Sequence, residues 1–191
     1  MAAFIMSGRF QAILFTLCMT LMSFVIAPLG VLGNAAIALV TLRLGVQQGL
    51  LIALPAAVGL TLVIALLNGD VWVGFISGLI SWLPVIALGA ILGKTVSWAH
   101  VLQYMFAILA GLIVLFHLVV GGDTATSWES WLQTLVGLLD IQDSEQQSLL
   151  NDAFKQAAPY MTGAIAALVG IHWIVSLMIG RHWQAELYNP G

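Results

Sequence analysis

The sequence predicts an all-α polytopic membrane protein: a single transmembrane domain over residues 1–191, with about six crossings and an external amphipathic two-helix loop between the fifth and sixth. Three observations predict it. Of 191 residues, 61% are hydrophobic and 7% charged, and the mean hydropathy is +1.07, whereas soluble domains carry roughly a quarter charged residues. The apolar runs are continuous and about 20 residues long, the length of a spanning helix, not of a barrel strand of about ten alternating residues. One stretch, Gly121 to Pro159, breaks the pattern. It holds Asp123, Glu129, Asp140, Asp143, Glu145 and Asp152 against the single base Lys155, so it belongs in water or at a membrane surface.

The elements follow in order. Met1 to Arg9 is a short start with one cation, and 10–27 is apolar and long enough for a first helix. Ala27-Pro28-Leu29 is a poor cleavage site and further apolar runs follow at once, so this helix reads as an uncleaved anchor. The second span, 28–44, opens with Pro28, Gly30 and Gly33, carries Asn34 and ends at Arg43. Its 17 residues make roughly 25 Å of helix, at the low edge for crossing. A re-entrant hairpin is the alternative, and it would put Arg43 on the opposite side from the one a six-crossing count gives it. The third span is 49–67, with Pro55 inside, and Asn68-Gly69-Asp70 is a turn signal. The fourth is 71–92, where Pro84 removes a backbone hydrogen bond. The fifth is 98–120 and the sixth 160–179. Between these two, in the external acidic loop 121–159, Thr126-Ser127-Trp128-Glu129 and Ser144-Glu145-Gln146-Gln147 fit capping boxes. Trp128, Trp131, Leu132, Leu135, Leu138 and Leu139 make one apolar stripe. Leu149, Leu150, Ala153, Phe154 and Ala157 make a second, ending at Pro159.

Charge sets the orientation. With Arg9 in the cytoplasm and six crossings, Arg43, Lys94 and Arg181 are cytoplasmic too, which satisfies the cation bias of short loops. Both termini are then cytoplasmic, and seven of the eight acids lie outside. The expected location is a bacterial cytoplasmic membrane.

Chemistry is thinly encoded. Apart from Arg43 at the end of the second, the spans contain no Asp, Glu, Lys or Arg, and intramembrane ionisable groups are the usual mark of coupled transport. His117 and His172 stand about half a membrane apart at helical rise, so they do not make one metal site, and each reads as a packed polar residue bonded to a neighbouring helix. No HExxH, GxSxG, P-loop or dinucleotide fingerprint occurs. The sequence therefore points to no enzyme, no metal and no cofactor, and no basic cluster points to nucleic acid. Cys18 is the only cysteine, which excludes an internal disulfide. Asn34, Asn68, Asp70, His117 and Asp123 all map to the outer third. They form either a small-molecule pocket opening outward or simply helix ends and turns, where polar residues belong. Small residues recur four apart at Ala53/Ala57, Gly74/Gly78, Gly89/Gly93, Ala107/Gly111 and Gly163/Ala167, a spacing that lets helix backbones approach closely, within the bundle or against a partner subunit.

Gly8-Arg9-Phe10-Gln11-Ala12, Ala38-Leu39-Val40-Thr41-Leu42-Arg43, Trp82-Leu83-Pro84-Val85 and the closing Arg181 to Gly191, with its Trp-Gln-Ala-x-Leu-Tyr-Asn-Pro-Gly, resemble a bacterial membrane protein family catalogued as domain of unknown function 2232. The resemblance spans the chain. It implies a distant similarity to substrate-binding membrane subunits of energy-coupling-factor transporters, and hence a small molecule and an ATPase pair as partners. Family members usually continue past the closing motif, so the chain resembles a C-terminally truncated member. The residues and the resemblance together lead to two expectations: a small-molecule-binding subunit of a transporter, or a non-catalytic membrane scaffold that holds an assembly together.

Overall fold

A computed structural model describes residues 1–68, 71–121, 123–138 and 144–188, apart from the side chains at 68, 71, 73, 135, 138, 144 and 145. Among the described residues every regular element is an α-helix. Its elements are α1 (Ala2–Met6), α2 (Arg9–Met22), α3 (Leu29–Leu44), α4 (Val46–Asn68), α5 (Val71–Thr95), α6 (Trp98–Val120), α7 (Thr124–Leu138) and α8 (Ser144–Tyr188). Four of these, α4, α5, α6 and α8, are long and apolar enough to cross a membrane; α2 and α3 are shorter apolar helices. The fold is therefore that of a membrane-inserted helical protein. It forms two compact units, Met1–Met105 with Ile171–Gly191, and Phe106–Gly170.

Several boundaries differ from the sequence expectation, each for a local reason. The first helix stops at Met22 instead of Ala27. Ser23 turns its hydroxyl back onto the Thr20 carbonyl at 2.6 Å, and a turn runs from there to Pro28, whose ring suits the entry to α3. The amphipathic segment after Leu149 and the sixth span form one helix, because α8 passes straight through Pro159. A proline removes one helical hydrogen bond, and here the helix carries on past it. The cap of α7 is Asp123, not Thr126: the Asp123 carboxylate accepts from the Thr126 amide at 3.2 Å. A first short helix, α1, buries Ala2 and Ile5 where the sequence suggested only a start. Asp140, Asp143, Leu139 and the closing Asn189-Pro190-Gly191 lie outside the described residues, as do the side chains of Glu145, Leu135 and Leu138.

The first unit packs through missing side chains. At Gly74 of α5, a Cβ would stand 2.7 Å from the Cα of Thr61 on α4, and at Gly180 of α8 it would stand 2.8 Å from the Ala38 methyl and 3.1 Å from the Ala35 carbonyl on α3. Ala53 and Ala57 are buried in the same core. Gly89 and Gly93 rest on Thr41 and Leu42 of α3. Three of the five small-residue pairs thus mark helix crossings. In the second unit nothing lies within 4 Å of a Cβ added at Gly111 or Gly163.

Four of the five cations gather at one end of the first unit. Arg9 Nε donates to Gln48 Oε1 at 3.0 Å, tying the start of α2 to the start of α4. Arg43, in the last turn of α3, sits 4.1 Å from the ring centroid of Tyr188 on α8. Gln184 of α8 donates to the Leu42 carbonyl at 3.5 Å and accepts from Arg181 at 2.6 Å. Gly93, beside Lys94, lies against Leu42. Arg43 and Arg9 therefore share an end of the first unit. Between α3 and α4 the chain reverses at Gly45, whose φ of 87° suits a residue without Cβ.

Candidate functional site

Sequence reasoning singled out Asn34, and the structure puts it inside the first unit. It is 1% exposed. Ser81 of α5 donates to its Oδ1 at 3.2 Å, while its Nδ2 finds no acceptor among the described residues. The preceding residue, Gly33, lies against α2. Without a side chain on Gly33, α2 comes in so closely that a Cβ there would meet Thr20 Oγ1 at 3.0 Å and the Thr16 carbonyl at 3.2 Å. The hydroxyls of Thr16 and Thr20 likewise have no partner among the described residues, and neither has the indole N–H of Trp82, which follows Ser81 and is fully buried. Thr16 and Thr20 of α2 meet α3 at Gly33, and Ser81 of α5 meets it at Asn34, so polar groups flank α3 on two sides; this polar seam, with the buried Trp82 indole next to Ser81 in sequence, interrupts a mainly apolar core.

That seam is costly as it stands. A buried donor without an acceptor costs about 1–3 kcal/mol, and well-formed cores leave few such groups. The donors in the seam are two hydroxyls, an amide and an indole, and among the described residues no carboxylate or cation joins them. The seam's place along the helices matters too. The outer end of the α2–α3 hairpin lies beside His172 of α8, whose Cε1 would be 3.4 Å from a Cβ at Gly30. His172 precedes Arg181 by nine residues, roughly 14 Å of helix, about half the hydrocarbon thickness.

The turn at that end has an unusual make-up for a loop. Phe24, Val25 and Ile26 are exposed, at 67%, 88% and 52%. Yet the amide N–H groups of Ser23, Phe24, Val25, Ile26, Leu29, Gly30 and Val31 are all bonded to nearby carbonyls. No charged residue occurs from Phe10 to Leu42. Apolar side chains outside and self-satisfied backbone within are what hydrocarbon demands of a non-helical segment.

The other expected site residues lie elsewhere. His117 and Asp123 belong to the second unit. His117 Nδ1 pairs with the Ile113 carbonyl of its own helix at 2.8 Å, and its Nε2 pairs with the Thr124 hydroxyl at the start of α7 at 3.5 Å. Asp123 caps α7 and is held below the usual carboxylate range, chiefly by the Thr126 amide it accepts from. The adjoining wall of α7 is aromatic. Phe116 stacks near Trp128 and Trp131, with ring centroids 5.6 and 6.1 Å away, and the Trp128 indole donates to Thr162 of α8 at 2.8 Å. The tryptophan stripe thus faces α6 and α8. Asp70 and the side chain of Asn68 lie outside the described residues. Among the described residues no group of three metal-ligating side chains occurs.

Compared with protein families, curated proteins and solved structures, the chain matches none. The family resemblance rests on the residues quoted for it above.

Proposed function

We propose that this protein is a membrane-embedded subunit that binds a small neutral molecule, as the resemblance to domain of unknown function 2232 and to energy-coupling-factor substrate-binding subunits implies. The observation that carries the reading is the polar seam at Asn34, with its buried unpartnered donors. Short or broken helices that stop at mid-membrane and present polar groups there are a recurrent device of transporters, and the α2–α3 hairpin has that form. In this reading α4, α5, α6 and α8 cross the membrane. The hairpin enters from the basic end and turns back at mid-depth, and helices α2 to α6 and α8 keep the parity of six crossings. The basic end and both termini face the cytoplasm of a bacterial inner membrane, and the acidic segment with α7 faces outward. Asn34 is the residue of the first unit on which this reading rests.

Native mass spectrometry of the full-length protein, extracted in lipid particles from its own host, tests this. A retained small molecule or a co-purifying ATPase pair supports the subunit reading, and loss of that molecule in Asn34→Leu locates the site. The open glycine faces at Gly111 and Gly163 favour a second reading, a scaffold docking another membrane protein. Only membrane proteins co-purifying, with no small molecule, would select it.

A further inference from the structure

We propose that the cleft at Arg9 binds the phosphate of an anionic phospholipid, with the acyl chain lying along its apolar floor. The cleft is about 380 Å³ and opens where α1, α2, α3 and α4 meet at the basic end. Volumes of this size are those of ordinary ligand pockets. Its floor is apolar and deeply buried: Ile5, Ala12, Val40 and Ile52 are each 2% exposed or less. Its polar lining is Arg9 and Gln48.

The guanidinium is prepared for an anion. Gln48 takes its Nε–H, which fixes the plane of the fork, and the terminal NH groups make no hydrogen bond or ion pair among the described residues. A planar fork with two free edges matches phosphate oxygens in a way an ammonium does not. The surroundings reinforce the charge preference. Arg9, Arg43 and Arg181 are held by neutral groups, an amide, a tyrosine ring and a second amide, and among the described residues no carboxylate pairs with any cation at this end. A surface of that kind draws anionic headgroups at a bilayer interface. One charged donor above a wholly apolar floor fits an amphiphile better than a free anion, which would leave the floor wet. The inference needs this end to lie at a membrane surface, but not that the surface be cytoplasmic, so it can fail while the proposed orientation stands.

The test uses the full-length protein in nanodiscs of equal parts phosphatidylglycerol and phosphatidylcholine, read by native mass spectrometry. One phosphatidylglycerol is expected to be retained in preference to phosphatidylcholine. Arg9→Gln is expected to lower that preference roughly tenfold, the scale of one lost charge-assisted contact. Arg9→Lys should restore part of it, and Lys94→Gln, away from the cleft, none should be lost. Leu44→Trp, which fills the mouth without removing a charge, should lower retention with thermal unfolding unchanged. Inorganic phosphate should not displace the lipid. Equal retention in Arg9→Gln and Leu44→Trp, or displacement by inorganic phosphate alone, would overturn the proposal.

Discussion

The α4–α5 and α2–α3 hairpins sit in the same unit and are built on opposite plans. The first pair is long, 23 and 25 residues, and closes backbone to backbone where Gly74 meets Thr61. The second is short, 14 and 16 residues, or roughly 21 and 24 Å against a hydrocarbon core of about 30 Å. It closes over polar side chains and turns on exposed apolar ones. Long helices that meet at glycine make a rigid frame. A short hairpin with unpartnered donors gives up stability to hold polar groups in the interior.

A charge at the turn separates the two plans most sharply. Val25→Asp is expected to cost about 2.5–3.5 kcal/mol of insertion free energy, as for an acid at bilayer centre, and to be read as lost membrane insertion or expression. The cost would be near zero if the turn lay in water. Next come the glycines. Gly74→Ala pushes a methyl into backbone and should destabilise by about 1–3 kcal/mol in denaturant titration of the purified protein. Gly33→Ala meets the hydroxyl end of Thr20 and one carbonyl, and should cost less. Gly111→Ala, in open space in the second unit, should gain about 0.5–1 kcal/mol.

Asn34→Leu sharpens the contrast in another way. It loses the Ser81 hydrogen bond, worth about 0.6 kcal/mol in membrane interiors, but removes a buried unpaired donor. Thermal unfolding should therefore be unchanged or raised by about 1 kcal/mol, while binding of the retained small molecule is lost. A strongly destabilised Asn34→Leu would mean the amide serves the fold alone.

The smallest effect lies outside both hairpins. Because the Asp123 carboxyl is held below its ordinary value in the folded state, its contribution is fully present above about pH 4. It is lost as pH falls through the lowered value. Fraying of the first turn of α7 on acidification, followed by Trp128 fluorescence, should be absent in Asp123→Asn. The α2–α3 hairpin, without an ionisable carboxyl, should not respond.

Much of the frame was legible in the sequence. The limits of α6 coincide with the fifth apolar run, α5 starts at Val71 as the fourth run does, and Pro28 marks the entry to α3. The basic end followed from counting cations. The hairpin turn was not legible, because Phe24, Val25 and Ile26 continue the apolar run and hydropathy reads a lipid-facing turn as helix. Pro159 misled in the opposite sense: one missing amide does not end a helix with turns on both sides to hold it. Of the seam, only Asn34 stood out, since threonine and serine in membrane helices ordinarily bond to their own backbone, as Thr61 does to Ala57. That Thr16 and Thr20 do not, and that the Trp82 indole is fully buried, needed coordinates.

The most direct test of the short hairpin is labelling of Val25→Cys in a Cys18→Ala background with a membrane-impermeant maleimide, applied to each face of sealed membranes. Ser130→Cys, on the proposed outer face, serves as the positive control. The account predicts that position 25 stays unlabelled from both faces and reacts only after detergent is added, while position 130 labels from outside. Labelling of position 25 from the outer face as readily as position 130 would show that the hairpin crosses the membrane and would contradict it.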